Sequence, residues 1–248
     1  MKFGKDPHQI EVNVPTRPAL FQAVRSHLTE KTGFALATLN LDHLTKLPEE
    51  PAFLAAYRAH DLVVADGRPV VWMSKLAQQP VELMPGSDMI LPLCALCVET
   101  GRSIALVGSS DEALAGAAEA LKSRVPGLEV SFIHAPPYGF DPKGAAADAI
   151  LRDLAGSGAG LCFIALGAPK QEIFAARGRE IAPDVGFASI GAGLDFFSGH
   201  QVRAPKIMRI VAMEWLWRAL QSPRRMVPRY AKCFAILPGL MIDALRQR

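Results

Sequence analysis

Six short apolar runs, rich in β-branched and aromatic residues, recur along the first 190 residues with helix-like stretches between them. They are 34–39, 62–65, 103–107, 128–132, 161–166 and 185–190. Strands buried on both faces lose the polar alternation of a half-exposed strand, and helical crossovers make their neighbours parallel. The stretches 111–124 and 142–155 are rich in Ala, Leu and charge at helical spacing, and Ser109 with Glu112 gives a capping-box pattern before the first. The expected fold class is α/β, a Rossmann-like three-layer sandwich with a mainly parallel sheet.

After Ile190 the rhythm changes. A Gly-rich turn, GAGLDFFSG (191–199), leads into a run without strand signals, expected to form two or three helices. Within 205–220, Ile207, Ile210, Val211, Met213, Trp215, Leu216 and Trp217 alternate with Lys206, Arg209 and Arg218 as an amphipathic helix with a basic face. Pro223 and Pro228 are expected to limit helix length beyond it. The run divides the chain into a body, 1–198, and a basic helical C-terminal appendage, 199–248.

Charge makes the same division. Residues 203–248 hold ten Lys/Arg against two acids, a charge of +8, whereas the first 202 residues hold 17 basic and 22 acidic side chains, a charge of −5. An appendage of this kind suits an anionic partner. Basic residues beside Trp and Met fit an anionic lipid surface, although the apolar positions serve equally to dock the helix on the body. The apolar stretch 233–242 is too short to span a bilayer, and 1–14 lacks the features of a signal peptide. The four unevenly spaced cysteines agree with a reducing compartment. A cytoplasmic protein, peripheral on the inner face of the plasma membrane, is expected.

In an open parallel sheet ligands gather beyond the carboxyl ends of the strands. The polar residues there are Thr38 and Asn40; Asp66, Gly67 and Arg68; Gly108 and Ser109; Gly167 and Gln171; and Asp195 beyond the last strand. Asp66 follows an apolar strand directly, and Gly67 admits close approach, which suits a base. On spacing alone, a helix-cap role ahead of Pro69 is the leading reading of Asp66. Thr38 and Asn40 read equally as cap or turn residues. The loop at Gly108 and Ser109 opens a helix and suits a phosphate. No cofactor is expected: the chain has no complete GxGxxG after its first strand and no GxxxxGK[ST]. No metal site is expected either. Cys94 and Cys97 form a lone CxxC in an apolar stretch that reads as buried helix, and the six histidines form no HxxxH pair. Asp-x-Asp is absent, so a diphosphate would rest on Arg, Lys or helix N-termini.

Five ordered segments, ADGRPVVWMSKL (65–76), PGSD (85–88), ALGAPKQE (165–172), GAGLDFFSG and RAPKIMRIVAMEWLWRALQSPRRMVPRY (203–230), closely resemble the WecB/TagA/CpsF family, glycosyltransferase family 26. The resemblance implies an inverting, metal-independent transfer of a sugar from a UDP-sugar donor to a saccharide on a polyprenyl diphosphate, in cell-surface polysaccharide synthesis. It makes Asp66 the catalytic base. Thr38 and Asn40 would lie near donor or acceptor, Gln171 carries the PKQE glutamine, Asp195 the Asp-Phe pair, and Tyr138 an aromatic near the nucleotide. Relatives use N-acetylmannosamine, its uronic acid or glucose, and no residue here decides among them.

One departure stands out: Glu82, Leu83, Met84 replaces the Glu-Arg-Val of many relatives. If that arginine contacts phosphate, Arg68 or an arginine of the appendage takes its place. Arg203, Arg218, Arg224, Arg225 and Arg229 are the appendage candidates for diphosphate and lipid contacts, since the family's tail folds over the site. Alternatives remain a nucleotide-sugar hydrolase or epimerase, and a non-enzymatic adaptor binding anionic lipid. Nucleic acid is disfavoured because the body is acidic. The oligomeric state stays open, a homo-oligomer included.

Overall fold

The computed structural model describes residues 1–197, 199, 208 and 214–248, with Glu214, Arg218 and Arg225 described by their backbone only. Each of the six apolar runs overlaps a strand: β3 (Phe34–Leu39), β4 (Leu62–Ala65), β5 (Ile104–Gly108), β6 (Val130–His134), β7 (Leu161–Ala165) and β8 (Gly186–Ser189). They form one sheet in the order β4-β3-β8-β7-β5-β6, every pair parallel. An antiparallel hairpin of β1 (Lys2–Phe3) and β2 (Ile10–Glu11) precedes it. Strands of two residues are too short to leave a periodic signal, so the sequence gives no sign of them. β6 starts two residues later than expected. It is one of the two edge strands, half-buried and exposed in alternation, and Leu128 is buried in the turn ahead of it.

Successive strand residues point to opposite faces, and the core divides accordingly. Phe34, Leu36, Val64, Leu106 and Phe163 pack under α1 (Arg17–Glu30), α5 (Gly86–Glu99) and α6 (Asp111–Arg124). On the other face, Ala105, Ile164 and Phe187 meet α7 (Ala145–Gly156) and α8 (Lys170–Ile181). Ala37, Leu39 and Val63 meet α2 (Leu41–Lys46), α3 (Pro51–Arg58) and α4 (Arg68–Leu76). This is the three-layer sandwich the apolar runs imply. Cys94 and Cys97 are buried in α5, and burial pushes the Cys97 thiol up to about 12.

Local punctuation explains several helix bounds. α6 is capped by Ser110, whose side chain accepts from Ala113 N–H; Ser109 sits one residue too early and turns into the left-handed region at φ 51°. The capping-box expectation is corrected by that residue. α7 begins after Gly144, because 141–144 is spent on a turn in which Lys143 N–H donates to Asp141 Oδ1.

Beyond the sheet lie α9 (Gly193–Phe197), inside the Gly-rich turn, α10 (Glu214–Gln221) and α11 (Pro223–Leu245). The expected helix over 205–220 falls largely outside the described residues. α11 corrects the expectation that proline limits this region: it runs 23 residues through Pro228 and Pro238. Pro223 occupies the first turn, where its missing N–H costs nothing, and the two inner prolines lie on the exposed side, where carbonyls deprived of a partner meet solvent.

α11 is fastened along its length to α2 and α4. The Arg229 guanidinium grips both oxygens of Asp42, with Nη2 to Oδ2 at 2.6 Å, and Lys46 joins at 3.0 Å. Ile236, Leu237, Leu240 and Ala244 pack into the cluster of Val70 and Met73, and Arg248 Nε donates to Leu76 O at 2.9 Å. Arg229 thus docks the helix. Burial alone raises the Asp42 carboxyl, but the hydrogen bonds and charges of Arg229 and Lys46 outweigh it and hold the group below its ordinary value. The clamp's contribution is therefore present above the ordinary carboxylate range and lost as pH falls through the depressed value. Asp42→Asn is expected to cost about 1–2 kcal/mol, discounted for the partly exposed guanidinium, and to raise hydrogen exchange selectively over 223–245. Unchanged exchange there would remove the clamp role.

Candidate active site

Six parallel strands deliver six turns to one edge of the sheet. Across that edge the order is Asp66 after β4, Asn40 after β3, Gly191 after β8, Gly167 after β7, Ser109 after β5, and Tyr138 beyond β6. The chain leaves β5 toward β6 and leaves β7 toward β8, so the connections diverge between β5 and β7. Such a switch point opens a crevice. Gly108 and Gly167 flank it, with φ of 118° and 71°. A side chain on Gly108 would bring its Cβ to 2.5 Å from the Ala165 carbonyl, and Ser109 N–H donates to that carbonyl at 3.2 Å. Ser109 Oγ then donates to Asp195 Oδ1 at 2.6 Å. Arg124 of α6 stacks over Phe197, fixing α9 and its Asp195 above the crevice.

At the β3–β4 end, Asp66 N–H donates to Leu39 O at 2.7 Å, which sets the aspartate beside Asn40. Gly67, at φ 89°, takes the cap position of α4 without a side-chain cap bond, so Asp66 stands one residue before the cap and Arg68 opens the helix. Asn40 is a helix cap. Its Oδ1 accepts from His43 N–H at 3.0 Å, which turns Nδ2 to His43 Nε2 at 3.3 Å. Nε2 therefore accepts, and Nδ1–H faces Tyr57 Oη at 3.2 Å. Burial holds the His43 ring neutral, its pKa lowered to about 3. Thr38, buried, donates to Ser189 O at 3.4 Å and ties the ends of β3 and β8.

Between the two ends lies Gln171, buried in the first turn of α8. Its Oε1 accepts from Gly191 N–H at 3.0 Å and its Nε2 donates to Glu172 Oε1 at 2.9 Å. Both ends of the amide serve the fold, and the turn it holds faces the site. The PGSD segment meets that same turn. Gly86, the first residue of α5, lies so close to Ile190 that an added Cβ would stand 3.0 Å from its Cα, and one on Gly193 would stand 3.3 Å from Ser87 Cα.

Other expected residues stand elsewhere. Tyr138 is fully exposed beyond β6, and Arg224 is exposed at the start of α11. Arg203 and the side chains of Arg218 and Arg225 lie outside the described residues. At Leu83 the structure supplies a cation that sequence order hides: Arg17, at the start of α1, donates from Nη2 to Leu83 O at 3.1 Å. Leu83 itself pairs with Ala65, next to Asp66. Among the described residues, no three His, Cys, Asp or Glu side chains gather as a metal would require.

The model of the WecG/TagA/CpsF glycosyl transferase family matches residues 6–248. The chain belongs to this family. As a family member it is a glycosyl transferase, and four of the five segments that carry the resemblance meet at the sheet edge: the Asp66 turn, the PGSD helix start, the Gln171 helix start and the turn that begins at Gly191. Among the described residues no helix is long and apolar enough to cross a membrane.

Proposed function

We propose that this protein moves a sugar from a UDP-sugar to a saccharide carried on a polyprenyl diphosphate, by one inverting displacement that needs no metal ion. The observation that carries the proposal is the division of the sheet edge. A carboxylate, Asp66, is fixed at the β3–β4 end, and a glycine-floored crevice opens between β5 and β7 where two helices begin. The nucleotide diphosphate takes the crevice, against Gly108, Ser109 and Gly167, with Asp195 above and Tyr138 beyond β6. The anomeric carbon then lies toward β3, near Thr38 and Asn40. Asp66 takes the proton of the acceptor hydroxyl as it attacks from the side opposite the leaving diphosphate, which inverts the configuration. Gln171 acts through the Gly191 turn. Arginines of the appendage, Arg203, Arg218, Arg224 and Arg225, balance the nucleotide diphosphate, and Arg68 and Arg17, beside Asp66, face the diphosphate of the acceptor. N-acetylmannosamine, its uronic acid and glucose are the sugars to test.

The appendage, 199–248, meets the membrane that holds the acceptor. α11 presents Val227, Phe234, Met241, Ile242 and Leu245 outward at helical spacing, all exposed, between Arg224 and Lys232 at one end and Arg246 and Arg248 at the other. An apolar stripe flanked by cations lies flat on an anionic surface. On this reading the protein works at the inner face of the plasma membrane, where cytoplasmic donor and lipid-linked acceptor meet.

UDP release from a donor panel, with a synthetic lipid-diphosphate saccharide and EDTA present, tests the chemistry. Asp66→Asn is expected to cut turnover about 100- to 10,000-fold; a dependence on divalent metal, or near-normal turnover of the variant, would overturn the mechanism. For the membrane, replacing Phe234 and Ile242 together by Asp is expected to weaken sedimentation with anionic vesicles about tenfold or more. Equal binding would remove that role for α11.

A further inference from the structure

The first turn of α8 holds a carboxyl group that the mechanism does not use. Glu172 is wholly buried: its Oε1 accepts from Gln171 Nε2 at 2.9 Å, and its Oε2 is buried with no hydrogen-bond partner. Among the described residues no cation forms an ion pair with it. Lys46, the nearest basic influence, is bound to Asp42 and donates to Ala168 O.

Donor chemistry fixes how this unit is wired. Gly191 N–H can only donate, so the Gln171 oxygen must face it and the Gln171 NH₂ must face Glu172. Oε1 of Glu172 is therefore an acceptor, and a proton on this carboxyl resides on the orphan Oε2. Ionised, the group would leave one charged oxygen dry and unpaired, a far larger penalty than an unmatched O–H.

We propose that Glu172 is a positioning residue that works as a neutral acid, holding the Gln171 amide so that its oxygen keeps the Gly191 turn, and with it Asp195, at the crevice. Ionisation loosens that turn. The group's surroundings agree. Burial pushes the carboxyl up from 4.5 to about 7, against the hydrogen bonds of Gln171 and its own backbone N–H and the charge of Lys46, with Asp42 adding to the rise. Tyr57, on α3, is kept neutral by burial and faces the same space. β3 and β8 carry no ionisable side chain, β7 carries only the buried Cys162 thiol, and α7 turns Asp148 to Arg177. Among the described residues no cation is placed to pair with the carboxylate, and its Oε2 has no hydrogen-bond partner.

The sign of the stability effect follows. The folded chain keeps this proton between pH 4.5 and about 7, where the unfolded chain has lost it. The contribution is full below the lower value, declines across that window and is flat above. Melting curves of wild type and Glu172→Gln, taken from pH 4 to 9, test this directly: wild type is expected to lose melting temperature relative to the variant across the window. Hydrogen exchange over 190–197, corrected for intrinsic rate, is expected to rise in wild type between pH 6 and 8.5 but not in Glu172→Gln. Should the variant fail to fold, the wild-type exchange step decides alone.

The rate arm rests on the functional reading above. With whichever of the three UDP-sugars turns over, wild-type kcat/KM falls by up to tenfold per pH unit above about 7. Glu172→Gln lacks that fall and exceeds Glu172→Ala at every pH. Parallel melting curves, pH-independent exchange over 190–197, or superimposable alkaline limbs would each overturn the proposal. If no donor turns over at all, the functional reading fails while the melting and exchange arms still judge Glu172.

Discussion

Parallel pairing of all six strands is the constraint from which the rest of the structure follows. A parallel sheet sends every strand-to-helix turn to one edge, so residues far apart in sequence, from Thr38 to Asp195, share a line a few strands wide. A single reversed strand would remove its turn from that line. The order of the strands then does a second job, because divergence of the chain between β5 and β7 opens a crevice at one place only along the edge. Asp66 and the crevice are thereby held at a separation set by β3 and β8, and the proposed transfer spans that interval.

The edge is held rigid by contacts that leave little room for side chains. Backbone approaches at Gly86, Gly108 and Gly193 lock the start of α5, the end of β5 and the 190–193 turn against their neighbours, and the Gln171 amide pins the same turn from beneath. The site is thus built largely from backbone and from side chains already engaged with one another. Preorganisation of this kind orients dipoles before a substrate arrives, so less reorganisation is needed as charge develops.

Much of this was legible in the sequence because burial on both faces writes itself as unbroken apolar runs; the bounds of β3 and β4 match the runs that predict them. The edge strand β6 was less legible, since two of its five residues are exposed and the others only half-buried, and the two-residue hairpin strands left no pattern. α11 was misread for a physical reason: proline breaks a helix by freeing carbonyls, yet on an exposed face water replaces the lost bond, and Pro228 and Pro238 both lie there. Residue types at strand ends marked Asp66, Asn40 and Ser109 as candidates, and the fold sets all three on the same sheet edge. Pairings did not show. Asp42 with Arg229 and Arg17 with Leu83 join residues separated by 187 and 66 positions, and no local pattern announces a contact that only the fold creates. Glu172 stands in the polar segment after β7, but its burial leaves no sequence signal, since a glutamate in a first helical turn is ordinarily a favourable exposed charge, whereas this one is sealed under α3.

The two ends of the edge carry different chemistry, and that separation is the central claim. In the proposed reaction a base acts on the acceptor while the crevice holds the nucleotide, so the first matters to reaction and the second to affinity. Calorimetric titration of UDP into wild type, Asp66→Asn and Ser109→Ala separates them without any turnover. Asp66→Asn is expected to bind UDP as wild type does, and Ser109→Ala to bind about fivefold or more weakly, through loss of the hydroxyl that fixes Asp195. Weakened binding by Asp66→Asn with unchanged binding by Ser109→Ala would contradict the account.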